Sequence, residues 1–123
     1  MWTYQQSTGI LTAPQTSSWK GATWTGYSGK GDGRNNPEDQ AIPNVGPIPR
    51  GIYTIGPAYD DPEKGPCVMR LTPSPNNEMF DRAGFLMHGN NPTNDASEGC
   101  IIQGPNVRKI VNASDDKTLQ VIE

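Results

Sequence analysis

Glycine and proline interrupt this chain too often for long helices to form. The sequence has 14 glycines and 12 prolines among its 123 residues, and both residue types destabilise the interior of a helix. The apolar runs between them are short, as in strands that are joined by turns. The length is that of one domain with a buried core. The sequence therefore predicts a single, mainly β domain over residues 1–123.

Short apolar or alternating runs mark the predicted strands. We expect an N-terminal hairpin within residues 1–24, ahead of a core that spans about 25–123. A helix is predicted over 105–112, because Pro105 suits a first helical turn and apolar residues follow at helical spacing. Residues 72–77 contain two prolines and are predicted to lie outside any central strand. Strands are predicted at 2–4, 9–12, 23–29, 52–55, 68–71, 85–87 and 118–122, and a single helical turn at 78–80.

Charge and composition exclude several classes of function. The net charge of −3 gives no basic surface for nucleic acid. No apolar run approaches the ~20 residues of a membrane span. Two cysteines and one histidine are too few for a four-ligand zinc site, so neither a metal nor another cofactor is expected. The first six residues lack the basic and apolar regions of a secretory signal, and the sequence predicts none.

The only histidine lies close in sequence to one of the two cysteines. The apolar run 85–87 predicts a short buried strand that ends at His88. After a polar loop, a tight turn is expected to bring Cys100 back beside it in a hairpin. An imidazole that takes the proton of a thiol lowers the thiol pKa well below its free value of about 8.5. Gly99 would let consecutive backbone amides point at one oxyanion.

Each of these residues also has an ordinary structural role. A cysteine at the start of a strand is commonly a small buried hydrophobe, and a lone histidine near a turn is commonly a surface or capping residue. The flanking glycines and the intervening loop favour the catalytic interpretation when the pair is considered together. Cys67 lies in an alternating strand and is interpreted as a packed thiol.

Three further regions have open interpretations. The turn-rich loop 28–47 is long for a compact domain, which favours a substrate-facing position, and its Arg34 is suited to binding a carboxylate. The charged loop 60–66 is expected to be solvated. Trp2, Trp19 and Trp24 could form a ligand platform, although packing within an N-terminal sheet is the commoner use.

The sequence His88-Gly89 followed by Ser97-Glu98-Gly99-Cys100-Ile101 resembles the HG…SxGC signature of the L,D-transpeptidase (YkuD-type) family. The segment 46–53 is similar to the approach strand of that family. With Tyr27-Ser28-Gly29 and Asn35-Asn36-Pro37, the motifs most resemble a small branch, domain of unknown function 2778. That branch includes the type VI secretion L,D-transpeptidase effectors.

The resemblance implies an L,D-transpeptidase-like curved mixed sheet or open β-barrel with one or two short helices. It implies that Cys100 is the nucleophile and His88 the base, with the Gly89 carbonyl orienting the histidine. It also implies that the backbone amides of Gly99 and Cys100 form the oxyanion site.

Two departures from the commoner branch concern substrate binding. Glu98 and Ile102 stand where that branch has histidine and arginine, so the substrate carboxylate must be bound elsewhere. Ser97 is expected either to contact substrate or only to bond the turn, and Glu98 either to contact a substrate amine or to be solvated. Tyr27 and Asn90 are further substrate-binding candidates. The candidate cations are Arg34, Arg50, Arg70 and Arg82.

The implied activity is acyl transfer on peptidoglycan stem peptides, by hydrolysis or by D-amino-acid exchange. The chain is then expected to be made in the cytoplasm and to act in the periplasm of a target cell after delivery by a secretion system. A periplasmic immunity protein is the expected partner. Two alternatives are a cysteine amidase of the NlpC/P60 or papain-like type and a non-catalytic cell-wall-binding module. The amidases place cysteine well before histidine in the chain, which is the opposite order.

Overall fold

The computed structural model describes all residues from Met1 to Glu123 and contains ten strands and one α-helix. The helix is α1 (Pro105–Ala113), and two 3-10 turns lie at Gly31–Gly33 and Pro37–Asp39. This composition confirms the mainly β fold class. The strands are β1 (Trp2–Gln5), β2 (Ile10–Thr12), β3 (Thr23–Thr25), β4 (Tyr27–Ser28), β5 (Gly51–Ile55), β6 (Tyr59–Asp61), β7 (Gly65–Pro73), β8 (Leu86–His88), β9 (Ile101–Ile102) and β10 (Thr118–Ile122).

The strands form one strongly curved sheet in the order β3-β2-β1-β10-β5-β7-β8-β9-β4, and β6 pairs with β7. Strands β1 and β10 are parallel, as are β8 and β9, and the other neighbours are antiparallel. The two ends of this order, β3 and β4, are joined by Gly26 alone. The sheet is therefore mixed and closes almost into a barrel, as predicted.

The N-terminal hairpin forms as predicted, with Thr3 opposite Thr12. Its first strand also pairs in parallel with β10, where Trp2 lies opposite Leu119. Trp2 and Tyr4 are fully buried in the common core. Residues 1–24 thus share their core with the rest of the chain.

Helix α1 confirms the prediction from Pro105, which occupies the first helical turn. Val107 and Val111 face the core, and Arg108 between them is also buried. The structure contains no helix with the length and apolarity that crossing a membrane requires.

Two local predictions are wrong. Residues 79–82 form a β-turn instead of a helical turn, with Phe80 and Asp81 at φ values of 55° and 58° and the Arg82 amide donating to the Met79 carbonyl. Strand β7 continues through Pro73, because there it pairs only with β5 and the missing N–H faces no second strand. The charged loop 60–66 is largely a β6–β7 hairpin, and its charged residues Asp60, Glu63 and Lys64 are exposed, as expected.

Candidate active site

The strands that carry His88 and Cys100 are parallel neighbours, so the predicted hairpin is wrong. Met87 lies opposite Ile101, and His88 lies opposite Ile102. Parallel strands need a crossover connection of about a dozen residues, and residues 89–100 supply it. The chain therefore runs in the same direction in both strands, and Cys100 lies just before the start of β9.

Strand alternation places both side chains on one face of this pair. Met87 and Ile101 point into the core. His88 and Ile102 therefore face the opposite side, and Cys100, two residues before Ile102, shares that face. His88 and Cys100 line one cavity of about 350 Å³. The Leu86 amide donates to Cys100 Sγ at 3.3 Å, which fixes the thiol at the cavity wall.

One hydrogen bond determines the tautomer of His88. Its Nδ1 lies 2.8 Å from the Gly89 carbonyl oxygen. Because a carbonyl can only accept, Nδ1 carries the proton and Nε2 is a bare lone pair. Nε2 is buried and has no hydrogen-bond partner. The imidazole thus presents a free base, oriented by the Gly89 carbonyl.

Burial keeps both groups uncharged. It lowers the pKa of His88, although the Gly89 hydrogen bond acts in the opposite direction. It raises the pKa of the Cys100 thiol, against the opposing effects of the Leu86 amide and the Lys64 charge. The expected depression of the thiol pKa is therefore reversed, because desolvation of the thiolate outweighs the nearby donors and cations. At rest both groups are neutral, a thiol and an imidazole that line the same cavity.

The two backbone amides assigned to the oxyanion site are not equivalent. The Gly99 amide donates to Ser97 Oγ at 3.1 Å. The Cys100 amide has no acceptor in the protein. Gly99 has a φ of +136°, and a Cβ there would lie 2.5 Å from Arg82 Nη2. The glycine is thus required by the backbone, while only the Cys100 amide is free to meet an oxyanion.

Ser97 is a structural residue. Its side chain is fully buried, and its hydroxyl accepts from the Gly29 amide at 2.9 Å and donates to the Cys100 carbonyl at 2.6 Å. With the Gly99 amide as a third partner, the hydroxyl has no capacity left for substrate. Ser28, which the sequence did not single out, bonds the Gly99 carbonyl at 2.8 Å in the same way.

Arg82 holds the loop 28–47 against the site. Its two terminal nitrogen atoms donate to four carbonyl oxygens, those of Gln40, Gly46, Pro47 and Glu98. It lines the Cys100 cavity, where Pro43 and Asn44 of the loop form part of the wall. Because both terminal nitrogens are occupied, Arg82 contributes positive charge but not a free carboxylate fork.

A family model described as the Tlde1 domain matches residues 22–122. The chain belongs to this family. The match confirms the resemblance to the type VI secretion effector branch and starts immediately before strand β3. No curated protein matches the chain.

The Cys100 cavity of this Tlde1 domain has three exposed charged residues in its lining, Lys64, Asp81 and Glu98. Lys64 is solvated, as expected for the charged loop, and the β6–β7 hairpin also brings it to the cavity. Neither Arg50 nor Arg70 reaches the cavity, because Arg50 pairs with Glu123 at 3.7 Å and Arg70 lies over the Tyr59 ring at 4.9 Å.

Three predicted substrate-binding residues meet in a different cavity. Tyr27, Arg34 and Asn90 line a space of about 540 Å³ that includes Gly89 but not Cys100. The Tyr27 hydroxyl donates to Asn90 Oδ1 at 2.6 Å and accepts from the Ala96 amide at 2.9 Å. Tyr27 and Asn90 therefore brace the crossover loop and do not contact the reacting groups.

The tryptophans divide between the two expected roles. Trp2 is buried and stacks with Trp24 at 6.2 Å between ring centroids, so both serve packing. Trp19 is 50% exposed and lines a separate cleft beside the C-terminal end of α1. Cys67 is half-buried and unpaired, and does not line the Cys100 cavity. No group of three or more potential metal ligands is clustered in the structure.

Proposed function

We propose that this Tlde1-domain protein is a cysteine-dependent acyl transferase or hydrolase of peptidoglycan stem peptides. The proposed bond is the one between diaminopimelate and D-alanine, and the activity is L,D-carboxypeptidase, D-amino-acid exchange or both. The observation that carries the proposal is the shared cavity of His88 and Cys100, in which the imidazole presents an unpaired Nε2. Family membership and the HG…SxGC motif support the substrate class.

The chemistry follows from the neutral pair. As Cys100 Sγ attacks the scissile carbonyl, its proton passes to His88 Nε2 and a C–S bond forms. The imidazolium then donates this proton to the leaving D-alanine amine as the C–N bond breaks. Water or another D-amino acid attacks the thioester, losing a proton to Nε2, and the thiol is reprotonated. The free Cys100 amide is suited to the oxyanion of both tetrahedral intermediates.

Charged side chains of both signs line the Cys100 cavity. Lys64 and Arg82 favour the ionised form of Cys100. Glu98 opposes ionisation of the thiol and would suit a substrate ammonium group. Asp81 also lines the cavity, so the two carboxylates balance the two cations. Stabilisation of the oxyanion is therefore assigned to the free Cys100 amide and not to net charge.

Each alternative function has one discriminating observation. In the amidases the cysteine starts a helix, whereas Cys100 directly precedes strand β9, which argues against that class. The exposed Trp19 beside a cleft of about 530 Å³ is the feature that favours a non-catalytic binding module. Intact-mass analysis after brief treatment with a thiol-directed acylating agent separates the proposed enzyme from a binding module. In the enzyme His88 should speed acylation of the neutral Cys100 thiol, so His88→Ala should label more slowly, whereas a binding module should show no such difference.

The direct experiment is incubation with defined muropeptides, with and without free D-amino acids. Tetrapeptide stems should lose D-alanine or exchange it, and pentapeptide stems should remain intact. Cys100→Ser and His88→Ala should both abolish turnover, because residues that act as a unit lose function together. Cys67→Ser is the matched control and should retain most activity. Equal activity of the two cysteine variants would overturn the assignment.

The substrate class implies action in the periplasm. We propose delivery by a type VI secretion system, with an immunity protein in the periplasm of the producing cell, supported by the Tlde1 family match. Expression with a periplasmic signal sequence should then swell or lyse cells, while cytoplasmic expression and the signal-bearing Cys100→Ala variant are harmless. Normal growth with the folded, exported wild type would refute the antibacterial role.

A further inference from the structure

The cavity beyond Gly89 contains two arginine side chains and no acidic residue. Arg34 and Arg108 both line it, together with Gly104 and Pro105 at the start of helix α1. Neither arginine forms an ion pair, since the two ion pairs of the structure join the N-terminus to Asp116 and Arg50 to Glu123. The sequence analysis considered Arg34 alone and did not consider Arg108.

Arg108 is almost completely buried yet has one unused donor. Its side chain is 6% exposed, and Nη1 and Nε donate to backbone carbonyls, the former at 2.8 Å from Pro66 oxygen. Nη2 has no acceptor and lies beside Gly89, where a Cβ would approach it to 2.8 Å. A buried guanidinium without an anionic partner is costly unless something compensates it. Its free nitrogen faces a cavity that an anion could enter.

The other walls also favour negative charge. The Arg34 guanidinium lies 3.7 Å above the Tyr27 ring, and its Nη1 donates to the Asn94 carbonyl while its other nitrogens are free. The N-terminal end of α1 has no side-chain cap and carries the positive end of the helix dipole. Gln103 lines the cavity, and neither polar atom of its buried amide has a partner.

The arginine cavity and the Cys100 cavity are bordered by a common cleft of about 250 Å³. It shares His88 and Glu98 with the Cys100 cavity, and Gly89 and Asn90 with the arginine cavity. An extended peptide that lies along this cleft would pass the imidazole on its way from one cavity to the other.

We propose that the arginine cavity, lined by Arg34, Arg108 and the start of α1, binds a free carboxylate of the stem peptide whose scissile carbonyl lies at Cys100. The proposal rests on the proposed function. A tetrapeptide stem has three free carboxylates, and the one on D-alanine departs with the leaving amine. The proposal concerns the two that stay on the acyl side, the α-carboxylate of D-glutamate and the second carboxylate of diaminopimelate. Both present the same planar anion to a guanidinium fork.

The test compares a free tetrapeptide stem with two analogues, each amidated at one of these carboxylates. Arg34→Gln should raise KM for the free stem about tenfold, as loss of a charge-assisted hydrogen bond would, and leave kcat within about twofold. One amidated analogue should show the same rise with wild type and no further rise with Arg34→Gln. That analogue identifies the carboxylate. Arg70→Gln is the matched control and should leave KM unchanged.

Binding to the inactive Cys100→Ala variant separates this proposal from the proposed function. The dissociation constant of the free stem should rise about tenfold when Arg34→Gln is added, whether or not the wild type turns the stem over. Arg108→Lys keeps the positive charge and tests the contribution of the buried arginine. If Arg108→Lys fails to fold, Arg34→Gln still tests the proposal, because Arg34 is exposed. An unchanged dissociation constant with Arg34→Gln, or no effect of either amidation, overturns the carboxylate site.

Discussion

His88 becomes a base through its hydrogen bond to the next residue in the chain. Because the Gly89 carbonyl fixes the proton on Nδ1, Nε2 is unprotonated and faces away from the backbone. Burial then keeps the ring neutral and the Cys100 thiol protonated. At the residue scale both groups are neutral and do not rest as an ion pair, which suits the proposed transfer of a proton during attack.

The pH dependence of the reaction tests this neutral pair. The imidazole must be unprotonated to accept the thiol proton, and its pKa is lowered, so kcat/KM should rise with a midpoint below about pH 6.5 and then stay level. Thiolate formation at Cys100 can be measured from the rate of alkylation in a Cys67→Ser background. Its midpoint should lie above about pH 8.5, because burial raises the pKa of Cys100. A thiolate that forms with a midpoint below pH 7 would show a resting ion pair instead.

Gly99 offers a second test at this scale. Gly99→Ala places a Cβ against Arg82 and 2.9 Å from Phe85 Cε1, at a positive φ that alanine rarely adopts. The free energy of unfolding should fall by about 2–4 kcal/mol, measured by urea titration, and activity should be largely lost. Gly104→Ala is the control, because a Cβ at Gly104 meets no atom within 4 Å. Equal stability of the two variants would contradict the described backbone.

At the scale of elements, the crossover loop 89–100 determines where Cys100 lies. Tyr27 holds its first half through Asn90 and Ala96, and Ser97 holds its last residues. Arg82 ties Glu98 to the loop 28–47. Cys100 is thus positioned by Tyr27, Arg82 and Ser97 of the loop itself, through hydrogen bonds rather than through strand pairing.

Tyr27→Phe should loosen this loop without altering the reacting groups. The variant keeps the ring under Arg34 but removes a hydroxyl that makes two hydrogen bonds, so we expect a loss of about 1–2 kcal/mol in the free energy of unfolding. A fall in kcat should accompany it because Cys100 is held less firmly. Tyr59→Phe, which loses only a surface bond to Asp61 at 3.3 Å, is the control. An unchanged kcat in Tyr27→Phe would show that the loop does not position the cysteine.

The sequence predicted elements whose cause is local. The helix follows from Pro105 and its apolar spacing, and β5 and β10 follow from alternating residues. The parallel pairing of β8 with β9 was missed because a polar loop of this length is compatible with either direction. Only the length of this loop could have indicated parallel pairing, because a parallel crossover needs about a dozen residues.

The site was only partly predictable for a related reason. The roles of His88 and Gly89 depend on adjacent residues, so motif and structure agree on their geometry. Ser97 and Arg82 form most of their hydrogen bonds with residues that are 16 to 68 positions away in the sequence. The exceptions are the bonds of Ser97 within its own turn. No local pattern reports such partners. Lys64 reaches the cavity only because β6 and β7 form a hairpin.

At the scale of the whole molecule, the nearly closed sheet gives the site two openings. Side chains on the inner face of β8 and β9 fill the core, while the outer face carries His88 and the approach to Cys100. His88 lines the Cys100 cavity and Gly89 lines the arginine cavity, so adjacent residues belong to the two cavities. This arrangement suits the proposed binding of a long substrate across both.

The most direct test of the account is to isolate the acyl-enzyme. The protein is mixed with a tetrapeptide muropeptide, quenched in acid and analysed by intact mass and peptide mapping. The expected result is an adduct equal to the muropeptide minus D-alanine, located on Cys100 in the wild type and in Cys67→Ser, and absent from Cys100→Ala. An adduct on Cys67, or D-alanine release by Cys100→Ala at the wild-type rate, would contradict the assignment of Cys100 as the nucleophile.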